Sequence, residues 1–395
     1  MFITAVLWTA YFVVAFNLAM MIPLLPFIQH RFDLSPSETG MLLAAFPVVA
    51  LVSNLALGPI IDKYGRKRFI VAGSLGCSVI LALTALASNS SWIMVGRAAT
   101  GLFMPMIGAS VFAAIADYVP ESNRARVAGY VTSAAPIAFL CSLSVGIILG
   151  GFFSWQLPII CLAAICCVLA CLASTLPSTN ATSLSQMCIS RKTYRDRLVS
   201  LSSGTKTRPL LASYFCWSVG VYTFLGLYPS WLVQNGLAGM SLETIGAVVF
   251  FGEIGGLVGA LFCGWLSSWF KNPLTLCIVS SVGIAFILLI IPLGHGSPAI
   301  QTIAYTIFAF GRDLMLALIL GDAMRMVAAS HRGSLNAALN AAYQTGGTLG
   351  GLASAWLYSF RADFSANTVV ASMVFLTSAF LLHSISKEKM AEARI

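Results

Sequence analysis

Charge is scarce in this chain. Asp, Glu, Lys and Arg make up 9% of its 395 residues, and 58% are apolar. A soluble domain carries about 25% charged and about 45–50% apolar residues. A surface this poor in charge excludes a protein dissolved in water, so lipid is the solvent for much of it. Histidine is nearly absent too. His30, His295, His331 and His383 are scattered without ligand spacing, which argues against a metal centre or a membrane enzyme built on a His cluster. No G-x-x-x-x-G-K-[ST] run occurs, so ATP drive within this chain is not expected. The ten cysteines form no framework. Cys161, Cys166, Cys167 and Cys171 share one apolar run, and the Cys166–Cys167 pair lacks zinc-type spacing. They read as small buried hydrophobes. No cofactor, no metal and no catalytic activity is expected; the chain does not read as an enzyme.

What the chain has is apolar runs. Stretches of about 20 apolar residues recur along it, each long enough to cross a hydrocarbon core of about 30 Å. Every backbone N–H and C=O in that core must be satisfied internally, so the runs are helices. Twelve spans are expected, near 3–28, 38–60, 68–88, 92–116, 127–151, 155–176, 209–234, 242–268, 273–293, 298–322, 333–359 and 366–385. The first run, Ile3 to Ile28, has no basic region before it and is too long for a signal core, so it reads as a retained span.

The basic residues orient the spans. With the N-terminus placed in the cytoplasm, 18 of the 22 Lys and Arg residues fall on the cytoplasmic side. They include Lys63 to Arg68, the central cluster Arg191 to Arg208, and Lys387, Lys389 and Arg394. The other side has only Arg31 and Arg361, while Arg97 and Arg312 lie inside spans. This bias follows the positive-inside rule and places both termini in the cytoplasm. It also accounts for the net charge of +9: the positives meet anionic lipid headgroups, and no nucleic acid is implied.

The segment Pro177 to Thr207 is rich in Ser and Thr and divides the spans six and six. The expected organisation is therefore a bundle over 1–177, a cytoplasmic linker over 178–208 and a second bundle over 209–395. The halves show faint self-similarity: Ser122-Asn123-Arg124 and Ser330-His331-Arg332 each open a span, 208 residues apart. Parallel repeats of this kind place a substrate site between the halves at mid-membrane.

The turn after span 2 reads Gly58-Pro-Ile-Ile-Asp62-Lys63-Tyr-Gly65-Arg66-Lys67-Arg68. This resembles the signature loop of the major facilitator superfamily, G-x-x-x-D-x-x-G-R-[KR]. With the six-plus-six plan, the resemblance extends over essentially the whole chain. It implies an all-α membrane protein of twelve transmembrane helices in two bundles that rock about a central cavity. It gives Gly58, Asp62, Gly65, Arg66 and Lys67 a gating role. In the second half the equivalent turn has Ser268 where the Asp would fall. Arg97, followed by Gly101, resembles the family's second motif, whose Arg is associated with proton transfer in many drug:proton antiporters; Thr100 replaces the usual Gln. In span 5, Gly146, Gly150 and Gly151 match the antiporter motif, but Ile147 stands where Pro is expected.

Three more charges lie inside spans: Glu253 in span 8, and Arg312 and Asp313 in span 10. An intramembrane ionisable group is a functional candidate by default. Burial and a nearby Arg act on a carboxylate in opposite directions, which suits a proton carrier. Neighbouring helix positions point about 100° apart, so Arg312 is expected to pair with either Glu253 or Asp313, leaving the other on a cavity wall. Glu253, Asp313, Arg312 and Arg97 are the candidates for proton coupling. No carboxylate lies inside a first-half span, where Asn17 is the main polar group of span 1.

Asn336, Asn340, Tyr343 and Gln344 make a polar stripe on span 11. In span 7, Trp217 and Tyr222 face either a cavity or lipid, and Tyr228 and Trp231 read as interfacial belt residues. Asn17, Arg97, Trp217, Tyr222, Asn340, Tyr343 and Gln344 are the candidate cavity residues. The function expected is proton-driven secondary transport of a small solute, an antiporter-like efflux across the inner (plasma) membrane. The alternative is proton-coupled uptake of a small organic acid or polar metabolite, and the remote one a non-transporting sensor on the same fold. The partners are a small-molecule substrate, protons and membrane lipids, with the chain a monomer.

Overall fold

Long apolar runs with caps at their starts give long helices. The computed structural model describes residues 2–177, 204–205, 207–270, 272–327 and 332–392. Among these, no strand occurs, and eleven helices are long and apolar enough to cross a membrane. In chain order the long helices are α1 (Phe2–Phe32), α2 (Pro36–Tyr64), α3 (Arg66–Ala85), α4 (Ser90–Tyr118), an interrupted α5 from Glu121 to Phe152, and α6 (Gln156–Ser174). Then come α7 (Thr207–Leu225, continued to Gly236), α8 (Leu242–Ser268), α9 (Pro273–Ile290), α10 (Pro298–Met326), α11 (Arg332–Phe360) and α12 (Ser365–Glu392). The expected eleventh span is α11. It is a helix of 29 residues, but its polar stripe leaves it outside the set apolar enough to cross.

The chain divides into two compact units, Met1–Leu34 with Met41–Arg191, and Ser35–Gly40 with Lys192–Ile395. The expected linker, 178–208, lies almost wholly outside the described residues.

Local chemistry sets the helix starts and breaks. Ser35-Pro36-Ser37-Glu38 opens α2 as a capping box. The Ser35 N–H donates to Glu38 Oε2 at 2.9 Å, and the Glu38 N–H donates to Ser35 Oγ at 3.3 Å. Asn89, Ser241, Asn272 and Ser297 cap α4, α8, α9 and α10 through their side-chain oxygens. Proline marks the breaks. Pro136 has no N–H for the Thr132 carbonyl, and the first segment of α5 ends at Thr132. A π-helical turn follows at Cys141–Val145. Pro229 likewise cannot bond Leu225, where the long part of α7 ends; Tyr228–Trp231 and a π turn at Leu232–Gly236 complete that rod.

Buried polar side chains join helices where no water competes. Asn367 Nδ2 on α12 donates to Ser354 O on α11 at 2.9 Å and to Thr223 O on α7 at 3.3 Å. Ser281 Oγ on α9 donates to Phe375 O on α12 at 2.7 Å. The tightest approach is between α8 and α10. Gly255 and Gly259 lie against the carbonyls of Thr306 and Phe310, where a Cβ would collide with backbone.

Two expectations change. Tyr228 and Trp231 are not at an interface but fully buried. Tyr228 packs 5.0 Å from Tyr305, and Trp231 stacks 5.3 Å from Phe364, so both belong to an aromatic core in the second unit. The cysteines are not uniformly buried either. Cys77, Cys166 and Cys277 are, but Cys161, Cys167 and Cys171 lie on the exposed side of α6, where a thiol is apolar enough to meet lipid.

The seam between α8 and α10 gives a direct test. Gly255→Val should lower stability by about 1–3 kcal/mol through overpacking, read as a drop in the thermal midpoint of the detergent-purified protein. Gly283→Ala, at a position with open space, should not lower it. Equal midpoints for Gly255→Val and wild type would show that the close approach is absent.

Candidate functional site: a buried charge network

In the second unit α8 and α10 bring four functional groups together. Tyr305 and Arg312 are seven residues apart on α10, two turns, so they share a face. Side chains lean toward the helix N-terminus, which carries the arginine back toward Tyr305. Glu253 of α8 enters between them. Arg312 Nη1 donates to Glu253 Oε1 at 3.1 Å and Nη2 to Oε2 at 2.8 Å. The other edge of the same guanidinium holds Asp313: Nε donates to Oδ1 and Nη2 to Oδ2, both at 2.8 Å. The Tyr305 hydroxyl donates to Glu253 Oε1.

The either-or expected for Arg312 therefore does not hold. The 100° between neighbouring positions applies to Cβ directions, whereas a guanidinium at the end of a long stem presents donors along two edges. It pairs with both carboxylates at once. The side chains of Arg312 and Glu253 are 2% and 1% exposed, and that of Asp313 is 13% exposed. With both carboxylates ionised the network carries one net negative charge.

Glycine makes room for it. The Tyr305 ring lies over Gly252, and the Asp313 carboxylate and Arg312 Nη2 lie over Gly256, where any Cβ would collide. Beyond Tyr305, the Tyr228 hydroxyl donates to Gln301 Oε1 at 3.1 Å, and Gln301 Nε2 donates to the Ile291 carbonyl at 2.7 Å.

The α11 stripe packs beside α7. Tyr222 and Tyr343 join hydroxyls at 3.0 Å, and Tyr214 stacks on Trp217 at 5.5 Å. Gln344 is buried and Asn340 half-buried on α11. Trp217 Nε1 and Gln344 Oε1 are buried with no hydrogen-bond partner among the described residues. Trp217, Tyr222 and Tyr343 thus form one patch.

In the first unit Arg97 of α4 reaches α1. Its Nη1 donates to the Asn17 carbonyl at 2.9 Å and to Asn17 Oδ1 at 3.1 Å, and Nη2 donates to Leu18 O at 3.3 Å. The guanidinium sits 4.6 Å from the Phe46 ring centroid, a cation–π distance. Arg97 and Asn17 line a small cavity with Thr84, Thr100 and Met20. In the turn between α2 and α3, Gly65 has φ 90°, a conformation open to glycine. Arg66 Nη1 donates to the Ile61 carbonyl at 3.1 Å, and its Nε lies 3.5 Å from Asp117 of α4. Lys67 Nζ donates to Leu176 O at 2.5 Å. Cations at these helix ends satisfy terminal carbonyls. The side chains of Gly58 and Asp62 lie outside the described residues.

A sequence model described as the Major Facilitator Superfamily matches residues 7–351. The chain belongs to the Major Facilitator Superfamily. It is similar to an uncharacterized MFS-type transporter, YceJ, of Bacillus subtilis (strain 168), 24% identical over 95% of this chain and 94% of that one. It is also similar to multidrug resistance protein 1 of the same organism, 25% identical over 78% of each chain. Among solved structures, a D-xylose–proton symporter shares the fold, with TM-score 0.77, 16% identity and 96% of each chain covered. The protein is thus a multi-pass membrane transporter of the superfamily.

Within that superfamily member, sequence reasoning found the three charges of the network but missed Tyr305, Gly252 and Gly256. A tyrosine in a span carries no anomaly. The glycines at 252, 255, 256 and 259 form a small-residue stripe that could have signalled the seam.

Arg312→Met strips two buried carboxylates of their cation. Removing one partner of a buried pair costs about 3–5 kcal/mol, so the variant should show a large fall in thermal midpoint and in monodisperse protein on size exclusion. Arg312→Met combined with Glu253→Gln and Asp313→Asn removes the uncompensated charge and should recover much of the loss. No recovery would show that Arg312 acts by packing rather than charge.

Proposed function

We propose that the chain is a proton-coupled secondary transporter that expels a small solute across the inner (plasma) membrane by alternating access. In this reading it is a monomer with twelve spans, α11 lining a polar path, and both termini in the cytoplasm. The observation that carries it is the Glu253–Arg312–Asp313 network: two carboxylates on one guanidinium, buried in helices of membrane-crossing length, with one negative charge in excess. A charge in that medium is costly, which makes it a functional candidate, and a proton is the smallest ligand that cancels it. Efflux is supported by the well-formed loop motif and by relatives that include multidrug resistance proteins. Arg97 is the coupling candidate of the first unit, and Gly58, Asp62, Gly65, Arg66 and Lys67 form the gate. Asn17, Arg97, Trp217, Tyr222, Asn340, Tyr343 and Gln344 are the solute-binding candidates.

A second reading is proton-coupled uptake. It is favoured by the acids lying in α8 and α10 rather than in the first unit, and by a hexuronate transporter of Bacillus subtilis (strain 168), 22% identical over 62% of this chain.

Purified protein in liposomes with a trapped pH dye, challenged with a panel of solutes, separates the two. A solute-triggered pH change is expected in wild type and absent in Asp313→Asn. Its sign distinguishes antiport from symport. A solute that crosses with no pH change in wild type overturns proton coupling.

A further inference from the structure

We infer that the exchangeable proton of the network resides on Asp313, while Glu253 is a permanent counter-ion held by Arg312 and positioned by Tyr305. This rests on the proton-coupled reading and assigns its site.

The two carboxylates are not equivalent. Glu253 accepts three hydrogen bonds, from Tyr305, Arg312 Nη1 and Arg312 Nη2, so both its oxygens are occupied. Asp313 accepts two, both from the same guanidinium. Glu253 therefore has one donor more than Asp313, supplied by a second residue. A proton arriving at Glu253 Oε1 would also have to displace the Tyr305 hydroxyl, which has no second acceptor in the network.

Access points the same way. A proton that is bound and released in each cycle needs a route to water. The Asp313 side chain retains an exposed edge, whereas Glu253 is sealed. Charge arithmetic completes the case. A proton passing from water to an Asp313 Oδ leaves the Glu253–Arg312 pair whole and brings the network to neutrality. The titratable groups around Asp313 are Arg312 and Tyr305 on α10, Glu253 on α8, Tyr343 on α11, and Tyr228 on α7, 5.0 Å from the Tyr305 ring. From α9 the apolar Ile284 meets Gly311. Of the two carboxylates of the network, Asp313 alone has an exposed edge. The proton thus changes the charge of the open edge of the network without touching its sealed core.

The test uses protons as the probe. Infrared difference spectra of the protein in lipid are recorded as pH falls. Wild type should develop one protonated-carboxyl band in the network, lost in Asp313→Asn. Tyr305→Phe, which removes one of the two donors on Glu253 Oε1, should add a second band; a merely structural tyrosine would leave the spectrum unchanged. Should Asp313→Asn not fold, wild type grown on isotope-labelled aspartate must shift the band, and labelled glutamate must not. A band that survives Asp313→Asn, or that moves with the glutamate label, overturns the assignment, as does the absence of any band in wild type. Failure of coupling is separable: solute crossing without a pH change in the liposomes, with the band still on Asp313, overturns the transport mechanism and leaves the proton site standing.

Discussion

A guanidinium in a medium of low dielectric has to be neutralised on the spot, and much of the second unit is arranged to meet that one requirement. Arg312 draws Glu253 from α8 and Asp313 from its own helix into one plane of hydrogen bonds. Meeting it needs two helices closer than ordinary side chains permit, and the glycine face of α8 provides this. Tyr305 then adds a third donor, on the Glu253 Oε1 that Arg312 Nη1 also reaches. The aromatic core around Phe224, Tyr228, Phe308 and Phe364 excludes water from that side and so strengthens every electrostatic contact within.

The first unit handles its buried cation differently. Arg97 is bonded to two main-chain carbonyls and an amide oxygen and rests on a phenyl ring. Dipoles of this kind satisfy an arginine through partial charges. The two units of this superfamily member therefore hold their buried arginines differently, one in a dipolar clamp and the other in a cluster of full charges.

The sequence made much of this legible. Apolar runs announced the helices because hydrocarbon leaves backbone no alternative, and Glu253, Arg312 and Asp313 stood out because charge is rare there. Pro136 and Pro229 sat at the breaks in α5 and α7, although the π turns that follow had no signal. Other features were hidden for physical reasons. Helical angles say where a Cβ points and nothing about how far an arginine reaches, so its double pairing could not be read from spacing. Tyr228 and Trp231 resembled belt residues because a polar-tipped ring near a helix end has the same composition whether it meets headgroups or a core. Tyr305 became a candidate only once its hydroxyl was seen on Glu253.

The Asp313 carboxylate occupies volume that a side chain at 256 would need. Any residue larger than glycine there would push the acid off its place on the guanidinium, so the position of the charge on α10 is set from α8 as much as from its own helix.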